Sequence, residues 1–97
     1  MAMTAKQLRQ KAVKVIQTNG WRQGDYGSQG EPVCLLGALG AARGCVHFYN
    51  APGDPLVQKA VSQMGFAGAD AAIDWNDNLS PSRGKRTVIE RLMKGLV

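Results

Sequence analysis

The sequence predicts an all-α domain, a compact bundle of four to five short helices around a buried central helix over about 32–43. Three observations predict it. Residues 33–42, from Val33 to Ala42, carry neither a charge nor a strongly polar side chain. Two capping boxes, Thr4-x-x-Gln7 and Thr87-x-x-Glu90, open amphipathic runs near the two ends. Proline and glycine punctuation cuts the remaining apolar stretches into pieces of helix length. The chain has 97 residues and is 44% hydrophobic, enough for one domain, 1–97, with a core of its own.

The elements follow in order. A helix is expected over about 5–18, with Leu8, Ala12, Val15 and Ile16 on one face and Lys6, Gln10, Lys14 and Gln17 on the other. Asn19-Gly20 stops it, because both residues tolerate the left-handed conformation. Residues 20–31 contain four glycines and read as a loop, with a short hairpin or extended piece in it. Trp21 follows the stop directly and is expected to fold back on the core.

Pro32 suits the first turn of the central helix, which ends near Gly44. The apolar run spans about 15 Å as a helix, half a bilayer core, so it is no membrane span. Cys34, Gly37, Ala38 and Ala41 recur at i, i+3, i+4, i+7 and make a smooth face that another backbone can approach closely. Residues 45–49, Cys-Val-His-Phe-Tyr, favour one extended strand-like piece, and 51–53 a turn.

Asp54-Pro55 is an N-cap followed by proline at the first helical position, opening a helix over about 55–64 with Leu56, Ala60 and Met64 inward. A fourth helix is expected from Ala69 to Trp75, with Ile73 inward, broken by Asn76-Asp77-Asn78. A polar loop covers 78–86. The last helix opens at Thr87, with Ile89, Leu92, Met93 and Leu96 as its buried stripe.

The net charge is +5, and the excess is local. Residues 1–22 hold Lys6, Arg9, Lys11, Lys14 and Arg22 with no acid, and 80–97 set five cations against Glu90 alone. Such a surface suits nucleic acid or an acidic protein, or simply a solvated face. For nucleic acid the candidates are Lys6, Gln10 and Lys14 on the first helix, with Arg83 and Lys85 near the last. Residues 1–20 hold four cations and no apolar core of a leader, so a cytoplasmic protein without a membrane segment is expected.

Sites that need cofactors or metals fit poorly. Asp74-x-Asn76-x-Asn78 starts like a calcium loop, but its sixth position is Leu79 and its twelfth is Lys85. Gly84-Lys85-Arg86-Thr87 lacks the strand and first glycine of a phosphate loop. Cys34, Cys45 and His47 are too few for structural zinc. No cofactor and no metal is expected. Cys34, His47 and Asn76 or Asp77 are the residue types of a cysteine-dependent enzyme, yet a cysteine in so apolar a helix is ordinarily packed and inert. The favoured reading is a non-enzymatic accessory protein that binds a protein partner or a second copy of itself.

Four blocks occur in a set order: Gly20-Trp21-x-Gln23-Gly24, Cys34-Leu35-Leu36-Gly37-Ala38-Leu39, Trp75-Asn76-Asp77 and Arg86-Thr87-x-x-Glu90. The chain thereby resembles, over about residues 5–96, a family of small uncharacterised proteins of actinobacteria and their phages, a domain of unknown function. His47 stands outside that pattern. The resemblance implies a mainly helical fold and a bacterial or phage setting, and brings no activity. Within these blocks Trp21, Gln23, Cys34, Trp75, Asn76, Asp77 and Arg86 make a candidate binding pocket beside the smooth face. The structural alternative is a staple of two loops onto the central helix, with Asp77 pairing with Arg86 or capping near Thr87 and the tryptophans covering Cys34.

Overall fold

The computed structural model describes residues 3–94. Among them are five α-helices, α1 (Ala5–Asn19), α2 (Leu35–Arg43), α3 (Pro55–Gln63), α4 (Ala69–Asp77) and α5 (Gly84–Lys94), and a 3-10 helix, Phe48–Gly53, between α2 and α3. The all-α class is as expected.

The first capping box forms in full. Gln7 N–H donates to Thr4 Oγ1 at 3.1 Å, and Thr4 N–H donates to Gln7 Oε1 at 2.9 Å. These bonds satisfy donors that the first turn otherwise leaves orphaned. Leu8, Ala12, Val13 and Ile16 are buried, and Arg9 joins them by donating from Nη1 to the Leu92 carbonyl at 3.2 Å.

The central helix starts later than the proline suggests. Pro32 is exposed, and Cys34 is the N-cap, its Sγ accepting from Gly37 N–H at 3.3 Å. The chain before it is extended because Val33 is bridged in parallel to Trp21. Val33 N–H donates to the Gly20 carbonyl and Arg22 N–H to the Val33 carbonyl, at 3.1 and 3.0 Å. The extended piece of the glycine-rich loop is therefore one bridge, not a hairpin. Every residue from Val33 to Gly40 is buried, and α2 touches α1, α3, α4 and the 3-10 helix.

The strand-like piece at 45–49 is not extended. Phe48 and Ala51 are buried against Gly40 of α2, where an added Cβ would stand 3.0 Å from the Ala51 Cβ, and this pins the segment as a 3-10 helix. In α3 the Asp54 carboxylate turns away from the helix start and takes the Arg43 Nε at 2.9 and 3.1 Å. The fourth helix runs through Asn76 to Asp77, because tertiary bonds to Asn76 override its turn preference.

The last helix begins at Gly84, three residues before the predicted box. Thr87 lies inside it and donates to the Arg83 carbonyl at 3.0 Å, so no second capping box forms. Its buried stripe is Gly84, Val88 and Leu92; Met93 is 67% exposed and Leu96 lies outside the described residues. The first and last helices pack side by side. Arg9 near the start of α1 meets Leu92 near the end of α5, and Trp21 just past α1 covers Gly84 at the start of α5. The two helices are therefore antiparallel.

Candidate functional site

Of the candidate pocket residues, Trp21, Gln23 and Asp77 meet around one buried side chain, Asn76. Asn76 is fully buried on α4. Its Oδ1 accepts from Trp21 Nε1 at 2.8 Å and from Leu35 N–H at 3.1 Å, so it satisfies a free donor at the head of α2. Its Nδ2 donates to the Arg22 carbonyl at 3.2 Å and to Asp77 Oδ1 at 3.0 Å. All four hydrogen-bonding positions of this amide are thus used.

Gln23 repeats the pattern from the loop side. Its Nε2 donates to the carbonyls of Asn76 and Leu79 at 2.9 and 2.8 Å, which closes the end of α4. Asp77 Oδ1 also accepts from Gly24 N–H at 3.0 Å. Asp77 therefore holds the glycine-rich loop and neither pairs with Arg86 nor caps α5. These contacts form the staple that ties the loop to α2 and α4.

Beside the staple a cleft of about 150 Å³ opens among Gly24, Asp25, Tyr26, Cys34, Ile73 and Asp77. Small-molecule pockets run at roughly 300–1,000 Å³, so this cleft admits only a small group or the tip of a side chain. Gly37 lies against the Tyr26 backbone. A Cβ there would meet the Tyr26 carbonyl oxygen at 1.9 Å, so the smooth face of α2 exists to let the loop backbone approach. Burial pushes the Cys34 thiol above its ordinary range and outweighs the bonds from backbone N–H groups, and nearby Asp77 pushes the same way. Burial, then Cys34 and Asp70, likewise raise the Tyr26 phenol. Both groups are neutral at pH 7.

Trp75 and Arg86 lie elsewhere. Trp75 packs on Phe66, ring centres 5.3 Å apart, and the Arg91 guanidinium sits 4.9 Å from the Trp75 centroid and 5.2 Å from that of Phe66. Arg86 is exposed and faces Glu90 at 3.5 Å. His47 lies beyond the end of α2, while Cys34 caps its start, so about 13 Å of helix separates them. His47 instead stacks on Tyr49 at 5.1 Å.

The nucleic-acid candidates Lys6, Gln10 and Lys14 are exposed along α1, and Arg83 and Lys85 are exposed at the start of α5. Among the described residues no group of three or more His, Cys, Asp or Glu is placed to hold a metal, and no helix is long and apolar enough to cross a membrane.

Sequence reasoning passed over Asp25, Tyr26 and Ile73 as site residues. The signal was present: a tyrosine amid four glycines, opposite a glycine on the smooth face. It also missed that Val46 and Tyr49 face solvent, 88% and 61% exposed.

The thiol geometry has a direct consequence. Iodoacetamide at neutral pH will leave Cys34 unmodified in the native protein, whereas half-exposed Cys45 will react. Mass spectrometry of the labelled peptides reads this, and rapid native labelling of Cys34 would contradict it.

A family model described as a family of unknown function (DUF6197) matches residues 1–95, and the chain belongs to that family. No curated protein and no solved structure matches the chain.

Proposed function

We propose that this member of a family of unknown function is a small helical accessory module that binds a protein partner through the segment Cys45–Tyr49. One observation carries the reading: Val46 and Tyr49 stand 88% and 61% exposed on a segment that is itself held firmly. Phe48 and Ala51 anchor it from below, Cys45 N–H donates to the Gly40 carbonyl at 2.9 Å, and Asn50 N–H donates to the His47 carbonyl at 3.0 Å. An aromatic presented on a pre-organised support loses little entropy on docking, and tyrosine is among the residues that dominate interface energies.

The residues first gathered as a pocket support this division of labour. Trp21, Gln23, Asn76 and Asp77 spend their polar atoms on the staple, and Cys34 spends its sulfur on capping α2. The setting we assign is the cytoplasm of a bacterium, with the protein encoded by the host or a phage. Free Cys34 and Cys45 fit a reducing compartment.

Affinity capture from nuclease-treated lysate of the native host, compared with a Val46→Ser/Tyr49→Ser variant, tests the reading. A protein retained by the parent and lost by the variant is the expected result. Sedimentation equilibrium of the purified protein asks whether that partner is a second copy. If the variant retains the same proteins, or the parent captures none and stays monomeric, the proposal fails.

A further inference from the structure

The antiparallel pair α1–α5 has an exposed side whose chemistry the partner-binding segment does not use. Arg9, Leu8, Ala12, Val13 and Ile16 turn α1 inward. Its outward row is therefore Lys6, Gln10, Lys14 and Gln17, all exposed. On α5, Arg91 reaches the Met64 carbonyl at 2.8 Å and the Phe66 and Trp75 rings, which fixes one edge of that helix against α3 and α4. Away from that edge, Lys85 and Arg86 are exposed and Ile89 is half-buried.

The charge on these two helices is predominantly positive. Residues 3–22 contain no carboxylate, and within 80–94 Glu90 is the sole acid, already facing Arg86. Lys6, Lys14, Arg83 and Lys85 have no carboxylate within ion-pair distance among the described residues. The acids sit apart from these helices, at Asp25, Glu31 and Asp54 and along α4 at Asp70, Asp74 and Asp77.

Lys6 and Lys14 are eight residues apart, about 12 Å along the axis, close to the width of the major groove of B-form DNA. Between and beyond them Gln10 and Gln17 offer amides, which donate to phosphates and read base edges. A helix that lies in a lipid surface shows apolar side chains outward; α1 turns all of its large ones inward, apart from half-buried Val15.

We propose that the exposed row of α1, with Lys85 at the start of α5, binds the phosphodiester backbone of duplex nucleic acid, Lys6, Lys14 and Lys85 contacting phosphates and Gln10 and Gln17 lying along the groove. This surface is separate from the Cys45–Tyr49 segment, so either assignment stands if the other fails.

Fluorescence anisotropy with labelled 20-base-pair DNA and RNA duplexes of arbitrary sequence tests it. Binding is expected at about 50 mM salt, and log K should fall linearly with log salt at about 0.9 unit per phosphate contact. Lys6→Ala/Lys14→Ala should reduce that slope by nearly two units and weaken binding to both ends of a salt series unequally. Lys85→Ala should remove nearly one unit. Lys59→Ala on α3 is the control and should leave the slope unchanged. Comparison of the two duplexes shows which backbone is preferred. Absence of duplex binding at about 50 mM salt overturns the proposal. So does an equal loss with Lys59→Ala, which would mark diffuse attraction to net charge. Binding to vesicles rich in anionic lipid, lost in Lys6→Ala/Lys14→Ala and without any duplex binding, would overturn it in favour of a membrane surface.

Discussion

Asn76→Ala will lower the melting temperature by about 15–30 °C. The substitution strands the Trp21 indole N–H, the Leu35 N–H at the head of α2 and the Arg22 carbonyl. Orphaning a buried polar group costs about 1–3 kcal/mol, so three sum to about 4 kcal/mol when part of the set finds water. For a domain of this size each kcal/mol is worth about 4–8 °C. Trp21→Phe is the informative companion. It removes the indole donor and part of the ring that covers Gly84, leaves Asn76 Oδ1 still bonded to Leu35, and should cost about 1–3 kcal/mol. Differential scanning calorimetry reads both. An Asn76→Ala protein that melts within about 3 °C of the parent would show that the buried network contributes little to stability.

Gly37→Ala is the second large effect. The new methyl group would stand 1.9 Å from the Tyr26 carbonyl oxygen, which is backbone and cannot rotate aside. Either α2 or the glycine-rich loop must move, and overpacking of this kind costs about 1–3 kcal/mol or more. The loop carries the Gln23 and Gly24 contacts, so displacement should also weaken the staple. Gly68→Ala provides the contrast. Its backbone is extended and nothing lies within 4 Å of the added Cβ, so its melt should stay within about 0.5 kcal/mol of the parent. Equal melts for the two variants would refute the close approach at Gly37.

The sequence made the local signals legible and hid the long-range ones. The first helix was readable because its start is a reciprocal pair three residues apart, complete within one turn. The same signature misled at Thr87, where an identical spacing sits one turn inside α5 and the threonine bonds back to Arg83. Cys34 was missed as a cap because a thiol rarely plays that part; the serine, threonine, aspartate or asparagine that marks a helix start was absent, and Pro32 drew the boundary forward. Asn76 looked like a helix breaker by its own preference. What holds it in α4 are partners in the glycine-rich loop and at the head of α2, which no local pattern displays. It nevertheless comes together with Trp21, Gln23 and Asp77, which the sequence groups with it as polar and aromatic residues of two loops. Trp75 and Arg86 were chosen on the same ground, and the chain turns them to other neighbours.

The Asn76 network also bears on the order in which the chain folds. Its bonds join residues 41 and 55 positions apart, and those of Gln23 span 53 and 56. The segments of α1 and α2 find their own local turns in microseconds, but closing these long loops carries an entropic cost that only a nearly complete core offsets. The staple then forms on the native side of the folding barrier. Removing it should leave the refolding rate almost unchanged and accelerate unfolding, so the side chain that fastens the loop sets how long the native state lasts rather than how fast it is reached.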